Sequence, residues 1–420
     1  MSDDRQAEST TARPTTAAEV ADLVRRAQQD SLPLTVVSGG HGLWSYGSAD
    51  GLRIELGELS SIEIDGLALD SEDAVVHIGA GAVWGDVAAA LGADGLAISS
   101  GDTASVGVGG LTVGGGIGWM VRAWGLAVDQ LVGAEVVTAA GDVVQASASE
   151  NPDLFWALRG GGGNFGIVTR LDFRAHPLDG VVLGEHVIAG DAATAMRAMR
   201  DVMRDAPREL TVTYMDVPPM DPSAPAGARI TAVWADADAE RLKELMAPVV
   251  AVAGVEAEYT TPAYRDILQE APDAPDGAEP PGFLGGNGLF VDLDDALIDR
   301  IVAFRSAYPV SVVFLRSLGG AFGDVPQEDT PFPGRDATWF IMAGAFDVPG
   351  LVDDAMRERI LADWAGIREA RVAEYGNFVP VERPDGAAGM HGPEAYARLR
   401  EIKRAWDPDN VFARNHNIAP

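Results

Sequence analysis

The stretch "SVGVGGLTVGGGIG", residues 105–118, holds seven glycines among fourteen residues. Two shorter glycine clusters flank it, "SGGHG" at 38–42 and "RGGGGNFGIVT" at 159–169. Glycine permits positive φ and lets backbone N–H groups approach a bound group closely, so successive clusters suit a nest around a diphosphate. None of them has the P-loop pattern or the strand-to-helix setting of a Rossmann fingerprint. Together the clusters predict a diphosphate site of another kind, although each cluster alone is also typical of tight turns.

The sequence around these clusters alternates short apolar runs with amphipathic segments. Runs such as "LPLTVVS", "AVVHIGAG", "GAEVVTAAG" and "FGIVTRLDFRAH" are bounded by Gly, Asp or Pro and predict strands. Residues 16–30 carry apolar side chains at helical spacing behind a threonine cap, and residues 83–95 show the same periodicity and end on glycine. Residues 31–177 therefore have the pattern of an α+β domain.

The character of the chain changes near residue 178. Predicted helices lie at 193–205, 238–254 and 295–308, and predicted strands lie at 209–217, 228–236, 310–319 and 338–346. This combination predicts an antiparallel sheet covered on one face by helices. Residues 271–288, "APDAPDGAEPPGFLGGNG", are too rich in Pro, Gly and Asp for regular structure and predict a long loop.

From about residue 373 the sequence again has the character of the first region. The predicted layout is therefore one domain formed from both ends of the chain, with a second domain inserted into it. In this layout residues 1–14 are disordered, residues 15–177 form the first domain, residues 178–370 form the inserted domain, and residues 371–420 return to the first domain.

Charge and cysteine content exclude several classes of function. The chain of 420 residues has a formal net charge of −32, which repels phosphate backbones and anionic lipid, so neither nucleic acid nor a membrane is an expected partner. It contains no cysteine, which excludes disulfides and thiolate nucleophiles. The six histidines lack metal-ligand spacing, so no metal site is predicted. Without a signal-peptide pattern or an apolar run of ~18 residues, a cytoplasmic protein is expected.

Four segments, taken in order, resemble the FAD-linked oxidases of the berberine-bridge-enzyme type, in the vanillyl-alcohol-oxidase or PCMH flavoprotein superfamily. The segments are "SGGHG", residues 106–144, residues 151–177, and "YGNF" at 375–378 followed by residues 398–420. The resemblance covers residues 15–177 and 370–420 well, and the middle of the chain only loosely, through "LRSLGGAF" at 315–322. It implies a PCMH-type FAD-binding domain built from both termini, an inserted substrate domain, and FAD as cofactor.

The resemblance gives the histidine of "SGGHG" a specific role. In this family that histidine is attached through its ring to the 8α-methyl group of the flavin, and His41 occupies the position. Many relatives carry a second attachment at a cysteine just before "VGVGG", where this chain has Thr103. The expected cofactor is therefore FAD bound covalently once, through His41. Val37 is a further departure, because relatives often have arginine there.

The resemblance also implies a set of cofactor-contacting residues. They are Ser38, Gly39, Gly40, Gly42, Val106, Gly109, Gly110, Gly114, Asp129, Gly166, Val168, Asn415 and Asn417. Val106 matches the position at which family oxidases often have a small side chain that leaves oxygen access to the flavin, which favours an oxidase over a dehydrogenase. For the two C-terminal asparagines the alternative is a turn or a terminal cap.

Tyr375 in "EYGNF" is the predicted catalytic residue, because it resembles the tyrosine of the family's Y-x-N motif, which faces the substrate. Asn377 is expected to hydrogen-bond the flavin or this tyrosine. A phenol with a pKa of ~10 is a poor base at neutral pH, so a neighbouring group is expected to lower the pKa. Arg316 is the candidate for that neighbour, with an ordinary surface ion pair on a strand as the alternative. For Tyr375 itself the alternative is half-buried packing.

These features predict an FAD-dependent oxidase with an alcohol, a sugar or a secondary metabolite as its substrate. Hydride leaves the substrate for flavin N5, and dioxygen then reoxidises the flavin and yields hydrogen peroxide. Three alternatives stay open: an oxygen-excluding flavin dehydrogenase, a natural-product tailoring oxidative cyclase, and a flavin-binding protein without turnover. Substrate specificity is expected to come from the inserted domain, where Tyr214 and the 271–288 segment are candidates.

Overall fold

A computed structural model describes residues 10–42, 50–65, 74–218, 227–270, 282–379 and 386–420. The first part of the chain forms a three-stranded parallel sheet and a mainly antiparallel sheet in the order β4-β5-β9-β7-β8, with β6 paired to β9. The strands are β1 (Thr10–Ala12), β2 (Leu34–Val37), β3 (Leu52–Glu55), β4 (Ile62–Asp65), β5 (Ala74–Gly79), β6 (Leu96–Ala97), β7 (Leu131–Val137), β8 (Val143–Ser147) and β9 (Ile167–Pro177).

Five helices accompany these strands within the described residues. They are α1 (Ala17–Gln29), α2 (Trp84–Gly92), α3 (Val108–Val113), α4 (Val121–Trp124) and α5 (Pro152–Leu158). The helix predicted at 16–30 is confirmed, and its Thr16 side chain accepts a hydrogen bond from the Glu19 backbone N–H, as an N-cap does. The helix predicted at 83–95 is also confirmed.

The middle of the chain forms a seven-stranded antiparallel sheet in the order β13-β10-β12-β11-β15-β16-β14. Its strands are β10 (Val182–Ile188), β11 (Leu210–Val217), β12 (Gly227–Trp234), β13 (Val255–Thr260), β14 (Gly282–Phe290), β15 (Ser311–Ser317) and β16 (Trp339–Asp347). One face is covered by α6 (Ala192–Arg204), α7 (Ala239–Val250), α8 (Asp295–Ala307) and α10 (Asp354–Arg368), and the short helix α9 (Ala321–Asp324) lies near α4. The predicted α+β class is confirmed.

The seven-stranded sheet extends into a segment predicted as a loop. Residues 282–288 belong to β14, so the prediction of a loop over 271–288 is wrong for them, and residues 271–281 lie outside the described part. Glycine-rich sequence disfavours a strand. Strand β14 nonetheless pairs with β16 at nine positions, seven of them in residues 282–288, and this pairing holds the segment extended.

The protein has two large hydrophobic cores, and a smaller third cluster contains residues of both parts of the chain, such as Trp119 and Tyr264. The first core draws residues from both termini, including Phe173 of β9 and Leu399 of α11 (Pro393–Trp406), while the second lies between the seven-stranded sheet and its helices. The domain boundaries at 177/178 and 370/371 stay predictions, because the first core also includes Leu289, Leu318 and Phe340 from the inserted part. Within the described residues, no helix is long and apolar enough to span a membrane.

The N-terminal segment is ordered closer to the start than the sequence predicts. Thr10–Ala12 pair in parallel with β3, and the Thr10 backbone N–H donates to the Gly51 carbonyl at 3.1 Å. The prediction of disorder over residues 1–14 is therefore wrong from residue 10 onward, because this strand completes the edge of the parallel sheet. Residues 1–9 lie outside the described part.

An ion-paired histidine joins three strands on the half-exposed face of the β4-β5-β9 sheet. His77 Nδ1 lies 2.6 Å from Asp172 Oδ1 and its Nε2 lies 3.3 Å from Asp65 Oδ2. The hydrogen bond with Asp172 raises the pKa of His77, against a smaller opposing effect of burial. Since the folded pKa lies above the unfolded value, this contribution is fully present below the unfolded pKa and is lost as pH rises through the folded pKa.

A His77→Gln variant is expected to lose about 1 kcal/mol of stability at pH 5.5 and less at pH 8.5. Glutamine keeps a polar side chain of similar length but never carries the positive charge. Urea unfolding at both pH values measures the difference. Val75→Gln, at an exposed position two residues earlier on the same face of β5, is the matched control. An equal loss for His77→Gln at both pH values contradicts the role of the charge.

Candidate active site

A cleft lies between the glycine clusters and the C-terminal segment. Its cavity volume is about 150 Å³, and the cleft is partly open to solvent. Its walls come from strand β2, helix α3, residues 160–168 and residues 412–416. The three glycine clusters, far apart in sequence, therefore meet at one site.

Close backbone packing explains why glycine recurs here. Gly39 and Gly107 approach so closely that a Cβ on Gly39 would lie 2.2 Å from the Gly107 nitrogen. At Gly114, which follows helix α3, a Cβ would lie 2.0 Å from Asn377 Oδ1, so any larger residue would displace the Asn377 side chain. The first and second clusters are thus fixed against each other, and the second is fixed against the C-terminal segment.

The predicted cofactor residues fall into two groups. Those that line the cleft are Ser38, Gly109, Gly110, Gly114, Gly166, Val168, Asn377 and Asn415. Those that lie outside its lining are Gly39, Gly40, His41, Gly42, Thr103, Val106, Asp129, Tyr375 and Asn417. Val106 is partly buried against the first core, and Thr103 forms an isolated bridge with Gln269.

His41 lies at the end of the first glycine cluster, directly after strand β2. The side chain is exposed, and its Nε2 lies 3.1 Å from the Ser105 hydroxyl. Ser105 belongs to the second cluster, so this contact adds a side-chain link to the Gly39–Gly107 packing. The imidazole is therefore accessible at the junction of the two clusters.

The residues present fit a flavin dinucleotide. Position Gly110 is open, with no atom within 4 Å of where a Cβ would lie, and it faces the cleft. Asn415 donates to the Gly163 carbonyl at 2.9 Å, while its Oδ1 and that of Asn417 are buried without a hydrogen-bond partner among the described residues. Glycine backbone suits a diphosphate, and unpartnered amide oxygens suit ring N–H donors. A simple terminal cap does not explain two unpartnered oxygens.

Tyr375 is held in place at both its backbone and its hydroxyl group. The Asn287 side chain accepts from the Tyr375 backbone N–H at 2.8 Å and donates to the Tyr375 carbonyl at 3.3 Å. The phenol oxygen accepts from the Gly116 backbone N–H at 3.0 Å and from Asn377 Nδ2 at 2.7 Å. The predicted contact between Asn377 and Tyr375 is therefore present in this structure, and the ring is fixed beside the cleft.

The environment of Tyr375 acts on its acidity in two opposite ways. Burial raises the pKa of Tyr375 to about 12, while the hydrogen bonds from Gly116 and Asn377 act to lower it. The expectation of a lowered pKa is therefore wrong, because the side chain is fully enclosed. Two N–H donors on one oxygen nevertheless stabilise the negative charge that appears when the phenol loses its proton.

Arg316 is not the partner of Tyr375. Its guanidinium donates to Asp102 at 2.6 Å and to the Thr213 hydroxyl at 2.9 Å, and it stacks over the Trp119 ring at 4.1 Å. The side chain is buried, so the surface ion pair considered from the sequence is wrong as well. Arg316 instead links strand β15 to the first part of the chain, because Asp102 and Trp119 both belong to it.

Asp129 also has a role different from the predicted cofactor contact. Both of its carboxylate oxygens pair with the Arg335 guanidinium at 2.8 Å, and both side chains are buried. The Arg335 guanidinium lies over the Phe332 ring at 5.1 Å, and that ring packs on Tyr375. Asp129 therefore acts on the site through Arg335 and Phe332.

A buried lysine fastens the C-terminal segment to the third glycine cluster. Lys403 donates to Asp407 at 2.5 Å, to the Asn164 carbonyl at 2.8 Å and to the Phe412 carbonyl at 3.2 Å. Asp407 in turn accepts from the backbone N–H groups of Val411 and Phe412 at 2.7 and 2.9 Å. Both charged groups are fully buried, and Asn164 and Phe412 both line the cleft.

Several residues of the site escaped the sequence prediction. Asn287 lies in the segment predicted as a loop, and its partner Tyr375 is 88 residues away, so no local pattern connects them. The cleft is also lined by Phe332, Met390, His391 and His416. By contrast, residues 160–163 belong to a glycine cluster that was already visible, and their role could have been predicted with it.

Comparison with known proteins gives consistent matches along the chain. A family described as "FAD binding domain" matches residues 9–147, and one described as "Berberine and berberine like" matches residues 374–419. The FAD-linked oxidoreductase pgmH of Aspergillus terreus is 30% identical over 92% of this chain and 83% of its own. The (R)-6-hydroxynicotine oxidase of Paenarthrobacter nicotinovorans is 28% identical over 97% of this chain and 90% of its own.

Solved structures share the same architecture. A chitooligosaccharide oxidase matches with a TM-score of 0.81 at 24% identity, over 98% of this chain and 92% of that one. A glucooligosaccharide oxidase from Acremonium strictum, which carries a 6-S-cysteinyl, 8α-N1-histidyl FAD, matches with a TM-score of 0.80 at 24% identity, over 99% and 92%. At this identity they establish the fold, and the relationship to pgmH extends over nearly the whole chain. The chain therefore belongs to the berberine-bridge-enzyme-like family of FAD-linked oxidoreductases, and FAD is its cofactor.

Proposed function

We propose that the protein is an oxidase that takes a hydride from a substrate carbon bearing a hydroxyl or amino group. The observation that carries this proposal is the phenol of Tyr375, held by two N–H donors beside the cleft. Bound FAD supplies the redox chemistry, because it accepts a hydride at N5 and passes the electrons to dioxygen, which yields hydrogen peroxide. The sequence at Val106 favours the oxidase over a dehydrogenase.

In this proposal Tyr375 receives the proton that the substrate heteroatom loses. The C–H bond of the substrate breaks as hydride leaves, and the O–H or N–H proton moves to the phenolate oxygen of Tyr375, so a carbonyl or an imine is formed. Gly116 and Asn377 stabilise the phenolate before the transfer. Asn287 fixes the direction of the ring through the Tyr375 backbone.

We also propose that His41 carries the flavin in a single covalent link. Support comes from the position of the exposed imidazole at the junction of two glycine clusters and from the absence of cysteine in the sequence. Histidyl attachment occurs in the glucooligosaccharide oxidase. The cytoplasmic location stays a prediction.

A His41→Ala variant is expected to release its FAD on acid precipitation, whereas the unchanged protein keeps the yellow colour in the pellet. The alanine side chain has no nucleophilic nitrogen with which to hold the flavin. Visible spectra of pellet and supernatant measure the partition, and His77→Gln is the control for a histidine distant from the cleft. Release of all FAD from the unchanged protein would contradict the proposed covalent link. The yellow colour of the protein before precipitation would still show that it binds FAD.

The reaction itself is tested by mixing the holoenzyme with substrate, first without oxygen and then with air. Bleaching of the flavin without oxygen shows hydride transfer, and rapid recovery of colour with stoichiometric hydrogen peroxide shows an oxidase. A flavin that bleaches but recovers only with an artificial acceptor identifies a dehydrogenase instead.

A further inference from the structure

Strands β15 and β16 present alternate side chains to two different surroundings. Leu315 of β15 and Ile341 of β16 pack into the helix-covered second core. Phe314 and Phe340, which neighbour them in sequence, point to the opposite face and pack against the first core. The face of the seven-stranded sheet that looks toward the FAD-binding part is therefore the face that carries Phe314 and Phe340.

The register of the strands gives this face an apolar row. Met215 of β11 lies opposite Phe314 of β15, and Phe314 lies opposite Met342 of β16. All three side chains are half-buried, so they retain surface that the protein itself does not cover. Methionine and phenylalanine together form an adaptable surface that favours contact with aromatic rings.

Two polar residues beside this row, Arg316 and Asn287, are largely used within the protein, whereas Arg229 of β12 lies opposite Met215 at the far end of the row. In the adjacent row Arg316 donates to Asp102 and Thr213 and leaves a single buried nitrogen, Nη2, without a partner among the described residues. Asn287, which lies opposite Met342, uses its side chain to hold the Tyr375 backbone. Between Met215 and Asn287, on the side of the row that leads to Tyr375, the two rows therefore offer few hydrogen bonds to a ligand that carries many hydroxyl groups.

A continuous chain of aromatic rings connects the row to Tyr375. The Phe340 ring lies 5.9 Å from both Phe314 and Tyr375, and the Phe378 ring lies 5.7 Å from both Phe340 and Tyr375. Phe378 is 51% exposed. Phe378 is thus an exposed ring in contact with the predicted catalytic ring of Tyr375. Together these phenylalanine rings form an aromatic wall, and Asn377, which donates to Tyr375 and lines the cleft, connects this wall to the cleft.

We propose that the substrate is a compact molecule with an aromatic ring next to the carbon that loses hydride, such as an arylmethyl alcohol or amine, and not an oligosaccharide. The ring lies against Phe378 and the Met215–Phe314–Met342 row. A buried sugar hydroxyl without a partner weakens binding by about tenfold or more, whereas a flat apolar ring meets no such cost on this wall. The inference rests on the proposed oxidase function.

The test compares two sets of probes on the holoenzyme without oxygen. Benzyl alcohol, cinnamyl alcohol and benzylamine form one set, and cellobiose, xylobiose and chitobiose form the other. At least one aromatic probe is expected to bleach the flavin with a half-saturating concentration at least tenfold below that of every disaccharide. Bleaching by a disaccharide alone overturns the inference and leaves the oxidase proposal standing. A protein without FAD overturns the oxidase proposal itself.

Binding without turnover is measured separately, from the shift of the flavin absorbance as each probe is added. If no aromatic probe bleaches the flavin or shifts its spectrum, the inferred substrate class is wrong whatever the disaccharides do. This measurement keeps the recognition step apart from the rate of hydride transfer.

The Phe378→Ser variant is expected to raise the dissociation constant of the best aromatic probe by about tenfold, because it removes the exposed ring. Leu361→Ser is the matched control, since Leu361 is similarly exposed but lies on α10, across the sheet. Met215→Gln adds an amide to the apolar row at similar volume and is expected to weaken the same probe. Equal affinities for all three variants overturn the proposal.

Discussion

Replacing Tyr375 by phenylalanine is expected to lower the rate of substrate-dependent flavin reduction by about 10²–10⁴-fold. The change removes one oxygen atom, which accepts hydrogen bonds from Gly116 and Asn377. The packing of the ring against Phe332 and Phe340 stays in place. Since the fold around the ring is retained, the FAD content and the binding of an aromatic probe are expected to change little while the rate falls.

The pH dependence of the same step follows from the direction of the pKa shift. Because burial raises the pKa of Tyr375 to about 12, only about 10⁻⁴ of the molecules carry the phenolate at pH 8. The rate of flavin reduction is therefore expected to rise by about tenfold per pH unit between pH 6 and pH 9. The Asp102 carboxylate, which is paired with Arg316, also raises the pKa of Tyr375, by less than burial does.

Stopped-flow measurement of flavin bleaching across this pH range shows whether Tyr375 takes the substrate proton or only packs beside the site. Tyr308→Phe is the matched control, because burial also raises the pKa of Tyr308 to about 12 while its hydroxyl donates to Asp363, on the helical side of the sheet. A flat profile for the unchanged enzyme, or an undiminished rate for Tyr375→Phe, would show that the phenol does not take the proton.

Local patterns in the sequence predict most of the fold. The helices α1 and α2 and the strands of the second sheet at 210–217, 311–317 and 339–347 follow from apolar periodicity and capping residues, which act over a few positions. Strand β14 does not follow, because its glycines favour a loop and only pairing with β16 makes it a strand. Pairing between distant segments is a tertiary effect that overrides local propensity.

In the site, too, local sequence patterns do not predict contacts between residues that are distant in the sequence. The glycine clusters predict where the cleft lies, because glycine is required wherever two backbones meet closely, as at Gly39 and Gly107. The partners of charged residues are not visible in this way. Asp129 pairs with Arg335, 206 positions away in the sequence, and Arg316 pairs with Asp102, 214 positions away. Both ion pairs join the two parts of the chain around Tyr375.

Replacing Asp407 by leucine is expected to destabilise the FAD-binding part by about 3–5 kcal/mol. The change leaves the fully buried Lys403 ammonium without its counter-ion and the backbone N–H groups of Val411 and Phe412 without an acceptor. Chemical unfolding followed by flavin fluorescence measures the loss. Asp409→Leu, at an exposed position in the same turn, is the control and is expected to stay within about 0.5 kcal/mol.

The double variant Lys403→Met/Asp407→Leu tests whether the two side chains stabilise the protein only through their ion pair or also through their hydrogen bonds to the backbone. A buried ion pair replaced by apolar residues of similar volume is often tolerated, because neither charge is then left alone. Here the two side chains also satisfy two carbonyls, of Asn164 and Phe412, and two backbone N–H groups. The double variant is therefore expected to stay about 4 kcal/mol less stable than the unchanged protein, at about 1 kcal/mol for each of the four unpaired backbone groups. Because Asn164 and Phe412 line the cleft, it is also expected to bind FAD more weakly, and full recovery of stability would show that the pair acts only through its charges.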